Sequence, residues 1–95
     1  MKPEGIAAIR SAQLGATQSE MAQLLGIDRT TEWKWEHGYT TPTPYQQEII
    51  EKLSRITLRA GELKRRLINA GSVATLSMLL SQSKLQRRQK GKKSA

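Results

Sequence analysis

The chain has 95 residues, enough for one small domain, and its composition excludes several classes of protein. It has no Cys and a single His, which excludes zinc sites, thiol chemistry and a disulfide framework, so we expect no metal and no cofactor. The formal net charge is +8, but residues 1–62 carry all eight acidic side chains, whereas residues 63–95 carry nine basic ones and no acidic one. This balance favours a polyanionic partner.

No apolar run reaches about 18 residues, which excludes a membrane span. The N-terminus lacks the basic-then-apolar layout of a secretory signal, so we expect a cytoplasmic protein with no membrane partner. The carboxylates between Glu4 and Glu62 have no plausible base or nucleophile beside them in the sequence. The sequence therefore predicts no catalytic residue and does not indicate an enzyme.

The first half of the chain predicts helices with clear ends. Apolar spacing predicts a helix over residues 4–14, which Gly15 ends. Thr17 and Glu20 have the spacing of a capping box, in which each side chain bonds to the other residue's backbone amide. They predict the start of a second helix, and Gly26 is placed to end it in a left-handed turn.

Two further helices follow from similar signals. Asp28 is a good N-cap for a third helix that runs to about His37. Thr43 and Pro44 suit the N-cap and the first position of a fourth helix, whose apolar pattern continues to Ala60. With no strand signal anywhere, the sequence predicts an all-α domain of four to five helices over residues 1–60.

The last third divides into a helical segment, residues 61–83, and a basic tail, residues 84–95, which we expect to be disordered when free. The tail is either a solubilising end or a non-specific DNA arm. The helical segment has one apolar stripe, which either packs on its own domain or forms a dimer interface. The stripe consists of Val73, Leu76, Leu79 and Leu80.

Two short helices joined by a tight glycine turn define a helix-turn-helix. Ala22 supplies the small residue at the helix crossing, and Ile27 follows the turn glycine as an apolar plug. The stretch TQSEMAQLLGI from Thr17, followed by WEHG at residues 35–38 and then Pro42, resembles the lambda-repressor/Cro helix-turn-helix, the xenobiotic response element family. The resemblance covers about residues 6–55.

The resemblance implies a set of DNA contacts. Helical geometry places Arg29, Thr30, Trp33 and Lys34 on one side of the third helix, and Trp35 on the opposite side toward the core. We therefore expect base contacts from the first four residues, through guanine acceptors or thymine methyl groups. Phosphate contacts are expected from Thr17, Gln18, Tyr39, Lys84, Arg87 and Arg88.

Two positions depart from the family pattern. Glu32 stands where the family usually has Val or Ile, and a carboxylate there costs free energy unless it is paired or tilted out to solvent. The family also pairs an arginine of the first helix with the glutamate that matches Glu36. Arg10 lies one residue out of phase with that arginine, so the sequence leaves this ion pair open.

The function implied by the resemblance is a homodimeric transcriptional repressor that binds an inverted-repeat operator in double-stranded DNA, as phage and mobile-element regulators do. A single short recognition helix reads few base pairs, and two half-sites increase specificity. The alternative is an antitoxin-like or RNA-polymerase-binding interaction module with the same fold. RNA binding is less favoured, because the sequence shows neither a sheet nor a pair of aromatic residues at stacking positions.

Overall fold

In the computed structural model, which describes residues 1–94 and side chains as far as Ser83, all regular structure is helical. A π-helical turn, Ile9–Gln13, extends the first helix without a break. This architecture confirms the predicted all-α fold. The five helices are α1 (Pro3–Ala8), α2 (Gln18–Leu25), α3 (Arg29–Glu36), α4 (Pro44–Leu53) and α5 (Glu62–Ser94).

Capping boxes start two of the helices: the one at α2 was predicted, whereas at α4 the sequence predicted only Thr43 as the N-cap and Pro44 at the first position. The Thr17 hydroxyl accepts a hydrogen bond from the Glu20 amide at 3.1 Å, and the Glu20 carboxylate accepts one from the Thr17 amide at 3.0 Å. Thr43 and Gln46 repeat this arrangement at α4, with Pro44 at the first helical position. At α3, Asp28 is the N-cap residue, but its side chain makes no capping bond. Its position at the N-cap is as predicted.

After α1, the chain at Gly15 passes close to the backbone at Ala60, in the segment before α5. The Leu14 amide donates to the Ile9 carbonyl, five residues back, at 3.0 Å, so the helix is wider here than an α-helix. Gly15 then takes a left-handed conformation (φ 56°). A Cβ atom at this position would lie 3.0 Å from the Cα of Ala60, so a side chain would meet backbone.

Helix α4 is shorter than the sequence predicts. It ends at Leu53, whereas the apolar pattern predicted helix to Ala60. Ile56 and Leu58 lie after α4 and outside any helix, but both are buried, because this segment crosses the core. The Leu58 amide donates to the Gln13 carbonyl at 2.7 Å and fastens the segment to the end of the first helix. The apolar spacing therefore reflects burial and not helical structure.

The last helix bends at Gly71 (φ 82°, ψ 171°). The Thr75 hydroxyl donates to the Arg66 carbonyl across the bend at 3.0 Å. Leu67 before the bend and Leu79 after it belong to the same buried cluster. Both halves of α5 therefore pack on the domain formed by the first four helices.

The core combines side chains from every helix. In its centre Leu14, Met21, Ile50, Leu53 and Leu63 have no exposed surface. Trp35 is 2% exposed, which confirms its predicted place in the core. In the part of the chain that the structure describes, no helix has the length and apolar character needed to span a bilayer.

Candidate nucleic-acid interface

Helices α2 and α3 are joined by a turn of three residues, and we call residues 18–36 the α2–turn–α3 unit. Gly26 ends α2 in a left-handed conformation (φ 69°), as predicted. The Ile27 amide donates to the Ala22 carbonyl at 3.0 Å, and the Ile27 side chain packs against the core. Ala22 is buried, so a small residue does lie within this helix pair. The turn therefore fixes α3 against α2.

The outward face of α3 carries all four residues predicted to contact bases. Arg29, Thr30, Trp33 and Lys34 are exposed, with Trp33 39% exposed. The first three of them line a surface pocket of about 180 Å³. Lys34 lies outside the pocket lining but on the same helix. The structure thus brings together an arginine, a threonine and a tryptophan at one place on the surface.

Trp33, one of the three residues that line this pocket, belongs to an aromatic stack. The Trp33 ring stacks on the His37 ring with 4.0 Å between centroids, and on the Tyr39 ring with 5.5 Å between centroids. A hydrogen bond of 2.9 Å joins the Nδ1 of His37 to the Trp33 carbonyl. Trp33 therefore packs on the loop after α3 and still presents surface to solvent.

The residues predicted to contact phosphate have different surroundings. Thr17 is exposed, but its hydroxyl is used in the cap of α2. Gln18 is half-buried, and its amide donates to Glu36 at 3.3 Å. Tyr39 is 71% exposed beside Trp33. The predicted contacts from the tail lie outside the described side chains: Lys84, Arg87 and Arg88.

An ion pair joins the first helix to α3. The Arg10 Nε donates to Glu36 Oε2 at 2.6 Å, and a second guanidinium nitrogen donates to Oε1 at 3.1 Å. The remaining nitrogen donates to the Ala16 carbonyl at 2.8 Å. The pair that the sequence left open is therefore formed. Arg10 lies within the π-helical turn Ile9–Gln13.

Glu32 is the one buried carboxyl group of the unit and the main departure from expectation. Its exposure is 0%, and neither carboxyl oxygen has a hydrogen-bond partner among the described residues. Glu32 is therefore neither exposed to solvent nor hydrogen-bonded to a basic side chain. Arg10 lies near enough to attract it, but the hydrogen bonds of Arg10 go to Glu36 and Ala16.

These surroundings place the two carboxyl groups of α3 in opposite protonation states. Burial, reinforced by the neighbouring Glu36, raises the pKa of Glu32 to about 8. Burial would also raise the pKa of Glu36, but hydrogen bonds from Arg10 and Gln18 outweigh it and lower that pKa. The bond to Glu36 in turn raises the pKa of Arg10. At neutral pH, Glu32 is therefore largely protonated and Glu36 is ionised.

The four residues of the predicted dimer stripe divide between core and surface. Leu79 is fully buried in its own domain, which is the alternative that the sequence left open for the stripe. Val73 is 85% exposed. With Leu76 and Leu80 it borders a groove of about 300 Å³ beside Leu25, which we call the α2–α5 groove.

Sequence reasoning found the pocket residues and singled out Glu32, Arg10 and Glu36, but it did not predict that Glu32 is buried without a hydrogen-bond partner. The burial of Glu32 has no signal in composition, and only its place next to the core face on the helix hinted at it. Within the part of the chain that the structure describes, no three His, Cys, Asp or Glu side chains are grouped as metal ligands would be.

The described residues define a small all-α domain of five helices in which a tightly joined helix pair exposes a cationic and aromatic face. Comparison with models of known protein families, with curated proteins and with solved structures gave no match. The assignment of a function therefore depends on the geometry of this chain.

Proposed function

We propose that the chain is a transcriptional regulator that binds double-stranded DNA in a sequence-specific manner, through a helix-turn-helix of the lambda-repressor/Cro type. In this proposal α3 is the recognition helix and enters the major groove, while the start of α2 approaches the phosphate backbone. The capped start of α2, the left-handed Gly26 and the short turn to α3 support the proposal. So does the resemblance of the sequence over residues 6–55.

The charge distribution on α3 is the observation that carries the proposal. Its exposed side chains are Arg29, Thr30, Trp33 and Lys34, which are cationic or neutral. Both acidic residues of the helix turn inward, where Glu32 is buried and Glu36 is bound by Arg10. Although two of the eight residues of α3 are acidic, its outward face therefore carries no carboxylate that would repel a polyanion. Such a surface suits contact with phosphates and with guanine acceptors.

We further propose that the regulator acts in the cytoplasm as a homodimer, and that it represses transcription by occupying an inverted-repeat operator. One recognition helix of two turns reads only a few base pairs, so a second copy is needed for useful specificity. The exposed Val73 and the α2–α5 groove favour a protein contact on the side of α5.

The proposal is tested with Arg29→Ala and a matched control. Duplexes enriched by the unaltered protein from random DNA serve as the operator. We expect Arg29→Ala to lose about 10- to 100-fold of the affinity ratio between enriched and random DNA, because a bidentate contact to guanine is lost. Arg55→Ala removes the same charge from an exposed position outside the unit and should keep that ratio. An unchanged ratio for Arg29→Ala would exclude the proposed readout.

A protein-interaction module with the same fold, antitoxin-like or RNA-polymerase-binding, is the second candidate, and the α2–α5 groove favours it. Sedimentation of the isolated chain, combined with selection of bound duplexes, distinguishes the regulator from the interaction module. A dimer that enriches specific duplexes supports the regulator, whereas a monomer that enriches none supports the interaction module.

A further inference from the structure

The pocket on α3 has a chemical character that goes beyond general DNA binding. Its lining consists of Arg29, Thr30 and Trp33. These three side chains contain a guanidinium, a methyl group and an indole ring. At about 180 Å³ it is smaller than the pockets that enclose whole ligands, which measure roughly 300–1,000 Å³. It therefore suits a protruding group and not an entire small molecule.

The indole wall of the pocket is fixed before any ligand arrives. Trp33 is stacked on His37 and on Tyr39, and the His37 ring is itself held by its hydrogen bond to the Trp33 carbonyl. Because the indole cannot swing away without breaking both stacks, little conformational freedom is lost when a group packs on it. A preformed apolar wall of this kind discriminates by shape.

One group on the base edges of the major groove matches an apolar pocket. The base edges there present hydrogen-bond donors and acceptors, and the C5-methyl group of thymine is their apolar feature. 5-Methylcytosine carries a methyl group at the same ring position. An arginine at the border of such a pocket is placed to donate to the acceptors of a neighbouring guanine.

We propose that the pocket formed by Arg29, Thr30 and Trp33 receives the C5-methyl group of a pyrimidine in the major groove, next to a guanine bound by Arg29. The inference rests on the proposed function and names the base feature that it reads. Trp33 is then a specificity-determining residue, and the aromatic stack with His37 and Tyr39 positions it.

The test removes the methyl group and nothing else. A duplex enriched from random DNA by the unaltered protein is resynthesised with deoxyuridine in place of one thymidine at a time, and affinity is measured by titration. We expect one position in each half-site at which loss of the methyl group lowers affinity about 3- to 5-fold, the effect of one buried methyl group. In Trp33→Ala, thymine and uracil at that position should bind equally, as a double-mutant cycle requires for a direct contact.

Controls separate the contact from a folding defect. Thermal unfolding checks that Trp33→Ala folds. If Trp33→Ala does not fold, Thr30→Ser, which removes a single methyl group from a lining residue, is used in its place. Either variant should reduce the penalty for uracil. A second arm places C·G or 5-methyl-C·G at the sensitive position: recovery of affinity with the methylated base supports recognition of the methyl group from either pyrimidine, and no recovery limits the pocket to thymine.

The outcomes distinguish this inference from the proposed function. If the protein enriches duplexes but no uracil substitution alters affinity, the methyl pocket is excluded and DNA binding stands. A uracil penalty that persists in Trp33→Ala and in Thr30→Ser would also overturn it. If the protein enriches no duplex at all, the proposed function itself fails.

Discussion

Glu32 and Glu36 lie one helical turn apart on α3 but have opposite electrostatic surroundings. Glu36 is bound by the Arg10 guanidinium through two hydrogen bonds, which keeps it ionised. Glu32 is buried without a hydrogen-bond partner, and its pKa is raised. A protonated Glu32 avoids most of the cost of a buried charge. The free energy of unfolding is therefore expected to depend on pH through the protonation of Glu32.

We predict that the free energy of unfolding falls as pH rises from about 5 to about 8. In that interval the folded chain keeps a proton on Glu32, whose pKa is about 8, whereas the unfolded chain has lost it, since the ordinary value is 4.5. Glu32→Gln removes this linkage and keeps the shape of the side chain. We expect the variant to exceed the unaltered protein by about 1–3 kcal/mol at pH 9 and to match it more closely at pH 5.

Denaturant unfolding at several pH values between 5 and 9 measures the effect. Glu51→Gln, which changes an exposed carboxylate of α4, is the matched control and should leave the pH profile unchanged. Parallel pH profiles for Glu32→Gln and the unaltered protein would show that Glu32 is not protonated in the folded state.

At the residue level the sequence predicted the exposed face of α3 better than its buried face. Arg29, Thr30, Trp33 and Lys34 were placed on one face by the family resemblance, with which helical geometry agrees, and the structure exposes all four. The burial of Glu32 could not be predicted in this way, because it depends on how closely the first helix packs on α3, and a periodic pattern does not contain that distance.

Helix ends were predictable because their signals are local. The capping boxes of α2 and α4 and the glycine after α2 use side chains within three residues of the helix end, and all are formed. The end of α4 at Leu53 was not predicted, because Ile56 continues the apolar spacing from a loop. The π-helical turn Ile9–Gln13, which contains Arg10, also has no local signal.

Two glycines, one within α1 and one just after the π-helical turn, test how the end of the first helix packs against the segment before α5. Gly15 has φ 56°, and a Cβ atom there would meet the Ala60 backbone, so we predict that Gly15→Ala lowers the free energy of unfolding by about 1–3 kcal/mol. Gly5 lies within α1 with open space around it, so Gly5→Ala should raise stability by about 0.5–1 kcal/mol.

Chemical denaturation of both variants gives the comparison. Opposite signs for the two substitutions are expected from the structure. Equal and small effects would mean that the chain from Leu58 to Ala60 does not pack against the end of the first helix as described.

For the whole molecule, the net charge of +8 arises in the last third, since residues 1–62 carry one more acidic than basic side chain. In the proposed function, specificity comes from the outward face of α3 and not from the total charge. The basic residues after Ser83 would add a sequence-independent attraction to phosphate, and that contribution is expected to depend on salt.

We predict that replacing the six Lys and Arg residues between Lys84 and Lys93 by glutamine weakens DNA binding without changing sequence preference. The plot of log affinity against log salt concentration should lose up to about five from its slope if all six contact phosphate. The substitutions keep the chain length, so the difference reports charge. An identical salt dependence for both proteins would show that the tail makes no phosphate contact.

Selection of bound sequences from a random duplex DNA library tests the central claim most directly, since the selection itself reveals the operator. The proposed regulator should enrich an inverted repeat whose half-site centres lie one helical turn apart, about 10 base pairs, or a multiple of it. The half-sites should contain guanine, as expected for a guanidinium on the exposed face of α3. Failure to enrich any duplex sequence over the starting library would contradict the assignment of α3 as a recognition helix.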